Sequence, residues 1–184
     1  MSKSASLLAL LVFGCGGGED RYLELHKGAK WTYVVSMDGD EVIQEITVRG
    51  RAPVGEYSGW LVDSAMGQSR LAWDGGTLYA AELAGTTYSP PIPLFANKPT
   101  TWSGVVSTSK SSTKGSADLS RKNENLVQGG KTYATAKTTL TLKTGKDTVE
   151  LTTWFYQDLG ILRQEQRSGA GMLRNRRIDF ISGP

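Results

Sequence analysis

The sequence predicts an all-β domain, mainly an antiparallel meander that forms a barrel, a half-barrel or a strongly curved sheet. Thr, Val, Tyr and Trp recur in short segments with alternating apolar and polar residues, the periodicity of half-buried strands. Clusters of Gly, Asn, Asp and Ser separate these segments at close intervals, so neighbouring strands should pair antiparallel. Beyond residue 14, the chain has no long apolar run at helical spacing.

The first fifteen residues have the layout of an export signal. Lys3 gives a short basic region, and seven apolar residues follow at positions 7–13. The next residues complete Val-Phe-Gly-Cys, which resembles the lipobox of bacterial lipoproteins. We therefore predict a signal peptide at residues 1–14 and lipidation of Cys15 by acyl chains such as palmitate. The alternative is an ordinary cleaved signal with an incidental Cys15, but no Ala-x-Ala site follows the apolar run, and acylation explains this sole cysteine.

The segment after the cysteine predicts how the domain connects to the membrane. Residues 15–21 contain three consecutive glycines and are interpreted as a lipidated flexible tether, so residues 22–184 form a single β-rich domain. Two or more acyl chains anchor a protein stably. We expect the membrane to be a partner through the lipidated N-terminus. Gly16, rather than Asp, favours the outer membrane if the host is Gram-negative.

The first half of the domain predicts five strands. Asp38-Gly39-Asp40 and Asp74-Gly75-Gly76 supply two of the tight turns, since glycine tolerates a positive φ. The predicted strands are residues 31–37, 41–51, 59–66, 69–73 and 77–83.

Residues 84–100 interrupt this pattern. They contain four prolines, which cannot donate to a sheet ladder, and are interpreted as a long crossover. The apolar part of this segment is the candidate site for a ligand or partner, because a proline-stiffened loop loses little entropy on docking. The candidate residues are Tyr88, Ile92, Leu94 and Phe95. The alternative is that the segment closes one end of the core.

Strands resume in the second half after the crossover. A polar segment at residues 110–115 is interpreted as a mobile loop. The predicted strands are residues 101–109, 117–127, 131–143, 148–157, 161–167 and 172–182.

A weak internal repeat suggests two similar halves. Three pairs of aromatic residues lie in similar local sequences. They are Trp31 and Trp102, Tyr57 and Tyr133 after turn glycines, and Trp73 and Trp154. The halves could share one core or face each other across a groove. The alternative is convergent use of Trp and Gly in β proteins.

Charge is distributed unevenly along the chain. Residues 15–97 carry 6 basic and 11 acidic side chains, whereas residues 98–184 carry 14 basic and 7 acidic ones. The basic half could favour anionic partners such as phospholipid head groups. The alternative is a set of solvated strand faces, because polar residues separate the C-terminal arginines. These are Arg163, Arg167, Arg174, Arg176 and Arg177.

Motifs for catalysis or cofactor binding are absent from the sequence. One histidine, His26, and one cysteine cannot form a zinc site, and the acidic cluster at residues 38–41 lacks the spacing of a calcium loop. No nucleophile or phosphate-binding motif occurs. We therefore expect no enzyme activity, no metal and no cofactor. Nucleic acid is not an expected partner of an exported, anchored chain.

Three segments carry a family resemblance: YLELHKGAKWTY at residues 22–33, VQGGKTY at residues 127–133 and WFYQDLGILR at residues 154–163. Together they resemble secreted bacterial TapB-like proteins and related domains of unknown function, over roughly residues 22–166. The resemblance implies an exported, antiparallel β-rich domain, and it brings no catalytic residues.

These observations predict an envelope lipoprotein that acts as a non-catalytic binding or assembly module. One hypothesis is capture of a lipid-like ligand in a β cavity. The alternative is docking onto another envelope protein as an accessory subunit, and an envelope hydrolase is a third, less favoured option. A continuous apolar cavity would favour the first hypothesis, and a packed interior with an exposed apolar patch would favour the second.

Overall fold

The computed structural model describes residues 22–37, 39–169 and 174–183. The predicted signal peptide and the whole predicted tether, Cys15 included, lie outside these residues. Twelve β-strands follow one another along the described chain. They are β1 (Lys30–Met37), β2 (Asp40–Val54), β3 (Tyr57–Ser64), β4 (Gly67–Asp74), β5 (Thr77–Leu83), β6 (Thr86–Phe95), β7 (Thr100–Ser107), β8 (Ser112–Gln128), β9 (Lys131–Thr144), β10 (Asp147–Tyr156), β11 (Gly160–Gly169) and β12 (Arg174–Ser182).

The strands form one closed antiparallel barrel in which each strand pairs with its neighbours in the chain. The last strand closes the barrel by pairing with the first, from Thr32 opposite Ser182 to Met37 opposite Arg176. The predicted all-β antiparallel meander is confirmed, and of the architectures considered the closed barrel is the one formed. Closure leaves no unpaired edge between β1 and β12.

The two ends of the barrel differ in how their interiors are filled. At the end that carries the β4–β5, β6–β7 and β10–β11 turns, large side chains pack into a continuous core. Trp31, Phe95 and Phe155 are fully or almost fully buried there. We call this the closed end. The opposite end carries the β3–β4, β5–β6 and β9–β10 turns, and the interior beneath it is less completely filled.

The interpretation of residues 84–100 as a crossover is wrong, because Thr86–Phe95 forms strand β6. Its prolines still affect the pairing. β6 pairs with β7 at only three positions, Thr87, Tyr88 and Ser89, since the proline nitrogens that follow have no hydrogen to donate. The indole Nε1 of Trp102 donates to the Pro90 carbonyl at 2.9 Å, which links the two strands beyond the ladder.

The polar segment at residues 110–115 is also more ordered than expected. β8 begins at Ser112, and its first residues pair with β7 from Ser107 opposite Ser112 to Gly104 opposite Gly115. The turn before it is held by Thr108, whose Oγ1 accepts from the Ser111 amide at 3.2 Å.

The three residue pairs of the internal repeat lie in strands six positions apart. Trp31 and Trp102 lie in β1 and β7, Tyr57 and Tyr133 in β3 and β9, and Trp73 and Trp154 in β4 and β10. Strands β1–β6 and β7–β12 therefore correspond in order, and the short β6–β7 ladder marks their junction.

A long hairpin in each half packs against the outside of the barrel. The tip of β2–β3 brings Val54 and Tyr57 against Ala72, Tyr79 and Ala81, with the two tyrosine rings stacked at 4.9 Å. The tip of β8–β9 reaches β12, where the Gln128 amide nitrogen donates to the Phe180 carbonyl at 3.0 Å, and it forms a second small core. The members of that core include Leu126, Tyr133, Trp154, Tyr156 and Leu162.

Glu124 ties the base of the β8–β9 hairpin to β10. Its carboxylate accepts from Lys122 Nζ at 2.6 Å, Lys137 Nζ at 3.1 Å and Trp154 Nε1 at 3.3 Å. The hydrogen bonds from Lys122 and Lys137 lower the pKa of Glu124 to about 2, from an ordinary value of 4.5. The charged form is thus favoured in the folded protein.

We expect the free energy of unfolding to fall as the pH decreases from about 4.5 to about 2, because the unfolded Glu124 takes up a proton that the folded protein does not. Glu124→Gln should flatten part of this dependence in urea unfolding measured across that range. The control is Glu56→Gln, an exposed carboxylate at the β2–β3 turn. A Glu124→Gln profile as steep as the wild-type profile would contradict the assignment.

Candidate functional site

The barrel encloses a cavity of about 470 Å³, within the range of roughly 300 to 1,000 Å³ typical of small-molecule sites. Its wall is built by inward-facing side chains from strands around the barrel, and most are aliphatic or aromatic. They include Leu71, Tyr88, Leu94, Leu140, Leu142 and Leu151. Eight strands suffice to hold one small ligand, and barrel diameter increases with strand number. Twelve strands therefore leave space that these side chains do not fill.

The first described residues cover the closed end of this cavity. Trp73 Nε1 donates to the Leu23 carbonyl at 2.9 Å, and the Tyr22 ring lies 4.9 Å from the Phe95 ring. The Arg121 guanidinium lies 4.7 Å from the Phe95 ring centroid and covers it from the same end. The Leu23 and Leu25 side chains line the cavity from the closed end.

The opposite end is the mouth of the cavity. Lining residues there, such as Met66, Leu83 and Gln166, are half-buried, whereas the lining residues Trp31, Leu78 and Phe155 toward the closed end are buried. The β1–β2 hairpin adds apolar side chains at this end, with Met37 50% exposed and Val42 58% exposed. The mouth therefore has an apolar lip rather than a fully polar rim.

Arg176 lies at the mouth and is the single charged residue among the described residues that line the cavity. Its Nη2 donates to Gln166 Oε1 at 2.8 Å, and its Nη1 donates to the Met66 sulfur at 3.0 Å. Among the described residues, no acidic side chain lies within ion-pair distance of this guanidinium. Burial lowers the pKa of Arg176, which shows that its charge is partly desolvated.

Two tyrosines add hydroxyl groups to the interior. Burial raises the pKa of Tyr88 to about 12, and it also raises the pKa of Tyr33. Both phenols therefore stay neutral at physiological pH. They can donate or accept a hydrogen bond without adding a second charge to the cavity.

The predicted site residues separate into two groups. Tyr88 and Leu94 line the cavity. Ile92 and Phe95 are 0% exposed in the main core, so the prediction that they belong to a loop free for docking is wrong. Ile92 lies opposite the core residue Ala80 and Phe95 opposite the core residue Leu78, and a register shift in the β5–β6 ladder lets both side chains, three residues apart, face the core. The predicted lipidation site, Cys15, lies outside the described residues.

The sequence interpretation missed Arg176 by treating the C-terminal arginines as one solvated set. In β12 the buried Ile178 and the half-buried Phe180 contact the main core, while Asp179 between them forms ion pairs on the outer face. A period of two residues places Arg176 on the same face as Ile178 and Phe180. That alternation was present in the sequence and could have distinguished Arg176 from Arg177.

The described part of the chain contains neither a metal-ligand cluster nor a membrane-spanning helix. No group of three or more His, Cys, Asp and Glu side chains there could hold a metal ion. None of these residues belongs to a helix with the length and apolar character needed to span a bilayer.

No protein-family model matches the chain, and no curated protein matches it. The resemblance to TapB-like proteins therefore stays a prediction.

Several solved structures are similar to this chain. A candidate lipoprotein from Parabacteroides distasonis is 14% identical, with a TM-score of 0.49 over 87% of this chain and 96% of that one. A candidate exported protein with a YmcC-like fold from Bacteroides fragilis is 12% identical, with a TM-score of 0.49 over 87% and 97%. The hypothetical lipoprotein YmcC from Escherichia coli is 14% identical, with a TM-score of 0.42 over 85% and 88%. Similarity at this level assigns no function to this chain.

Proposed function

We propose that this chain is a lipoprotein of the bacterial cell envelope whose barrel binds a lipid-like amphiphile without catalysing a reaction. The observation that carries the proposal is the apolar cavity, which is covered at one end and opens at the other. A bound acyl chain would lie inside it, with its polar end at the mouth.

The energetics of the cavity support a lipid-like occupant. Transfer of an acyl chain out of water contributes about 0.8 kcal/mol per buried CH₂ group. The wall is held by the closed antiparallel barrel and by the packed closed end, so binding requires little ordering of the protein.

Docking onto another envelope protein is the second candidate. The β1–β2 hairpin carries exposed apolar side chains on Met37, Val42 and Ile43, and Ile43 is 75% exposed. Such a lip could bind an apolar surface of a partner. It is smaller than the cavity wall and lies beside the mouth, so we rank docking second.

The test is saturable binding of a neutral amphiphile. The full-length chain with Cys15→Ser, which removes the predicted acylation site, is titrated with the neutral fluorophore N-phenylnaphthylamine, and dodecanol is then used to displace it. We expect saturable fluorescence enhancement. Leu151→Trp, which adds a bulky ring to the cavity wall, should weaken binding roughly tenfold or more, because the apolar volume is occupied.

Ile43→Trp is the matched control, since it adds an aromatic ring on the exposed outer face of the lip. It should leave the affinity unchanged. Lack of saturable binding by the parent chain would overturn the proposal. Loss of binding in Ile43→Trp but not in Leu151→Trp would move the site to the outer surface and favour docking.

A further inference from the structure

The mouth of the cavity holds a guanidinium whose hydrogen-bonding capacity is mostly unused by the described residues. A guanidinium has five N–H donors. The structure engages Nη2 with the neutral amide oxygen of Gln166 and Nη1 with the thioether sulfur of Met66, which is a weak acceptor. Neither partner carries a compensating negative charge.

Other arginines of the same strands are paired differently. Arg163 Nε lies 2.8 Å from an Asp179 carboxylate oxygen, and Arg177 Nε contacts the other oxygen of the same carboxylate at 2.5 Å. Both arginines lie on the outer face of the barrel, where alternation places them opposite to Arg176. Asp179 thus neutralises these two outer arginines, whereas the cavity holds an arginine without an acidic partner among the described residues.

A partly buried charge without a counter-ion is costly unless something compensates it. An anion that enters the mouth would supply that compensation and would accept hydrogen bonds from the planar fork of N–H groups. Arginine matches carboxylate and phosphate groups in geometry, because both can accept two parallel hydrogen bonds.

We propose that the cavity selects amphiphiles with an anionic head group, a carboxylate or a phosphate, which Arg176 binds at the mouth while the apolar tail lies among the leucines below. This inference rests on the proposed function. Gln166 holds the guanidinium in place, and the tail fits an interior that contains no other charged side chain among the described lining residues. Arg176 therefore selects the head group, and the apolar volume of the cavity accommodates the tail.

The test compares three probes that share one tail. Dodecanoate, dodecyl phosphate and neutral dodecanol each displace N-phenylnaphthylamine from the full-length Cys15→Ser chain and from its Arg176→Gln derivative. We expect Arg176→Gln to weaken both anionic probes roughly 10- to 100-fold, as charge-assisted hydrogen bonds are lost, and to leave dodecanol within about twofold. The ratio of the two anions in the parent chain shows which head group is preferred.

Arg177→Gln is the matched control, because it removes the same charge from the adjacent, outward-facing position. It should change none of the three affinities. Equal losses of affinity for the anionic probes in Arg176→Gln and Arg177→Gln would show that the effect comes from net charge alone, and would overturn the inference. Binding of all three probes with no effect of Arg176→Gln would also overturn it while leaving the proposed function intact, whereas failure of every probe, dodecanol included, would remove both.

Discussion

Ile92→Asp combined with Phe95→Asp is expected to abolish the folded state. Both side chains are 0% exposed within β6, and the Phe95 ring contacts Tyr22, Trp73 and Phe155 at centroid distances of 4.9 to 5.5 Å. Truncating two such side chains alone costs about 5 to 10 kcal/mol, comparable with the 5 to 15 kcal/mol that stabilises a typical domain. Two buried carboxylates add a further penalty.

Circular dichroism and a thermal scan would measure this result as loss of the β spectrum and of the cooperative transition. Val42→Asp with Ile43→Asp is the matched control, because it places the same two charges on exposed apolar positions of β2. That variant should keep the wild-type transition. A folded double mutant of Ile92 and Phe95 would show that β6 does not occupy the core.

Cys15→Ser is expected to remove the protein from the membrane fraction entirely. The lipobox-like sequence at residues 12–15 places this cysteine where acyl chains are attached, and stable anchoring requires two or more chains. Intact-mass analysis of the wild-type protein from its own host should show a mature chain that begins at an acylated Cys15. The serine variant should lack that added mass.

Gly16→Ala serves as the control, since it keeps the cysteine and a small residue after it. It should be acylated and fractionate like the wild type. An unmodified Cys15 within the wild-type mature chain would refute lipidation and leave the barrel as a protein without this anchor.

The sequence predicted the meander well because its signals are local. Alternation and turn glycines predicted residues 77–83 and 131–143 as strands, and the structure has Thr77–Leu83 and Lys131–Thr144. The crossover prediction for the proline-rich segment is wrong because prolines shorten a hydrogen-bonded ladder without preventing a strand. β6 instead pairs with β7 at three positions only and fills the core with Ile92 and Phe95.

The site was harder to predict because it depends on contacts between distant segments. Tyr88 and Leu94 were predicted as candidate binding residues on a docking loop, whereas the structure places them in the cavity wall. Closure through β1 and β12 brings Arg176 close to Met66, 110 residues away in the chain. Local alternation shows which way Arg176 points, but it does not show that no acidic side chain of the described residues lies beside its guanidinium.

The position of Tyr22 and Leu23 at the closed end affects the route by which a ligand could enter and leave the barrel. If the chain is anchored through Cys15, the membrane anchor connects to the closed end of the barrel. The connection is residues 15–21, which span at most about 25 Å when fully extended. The opening would then face the aqueous compartment, and an amphiphile could not simply slide in from the leaflet that holds the anchor. Loading and unloading would then pass through the aqueous side, from dissolved amphiphile, a carrier or a second membrane, and the apolar lip of Met37 and Val42 is the first surface that such a donor would meet.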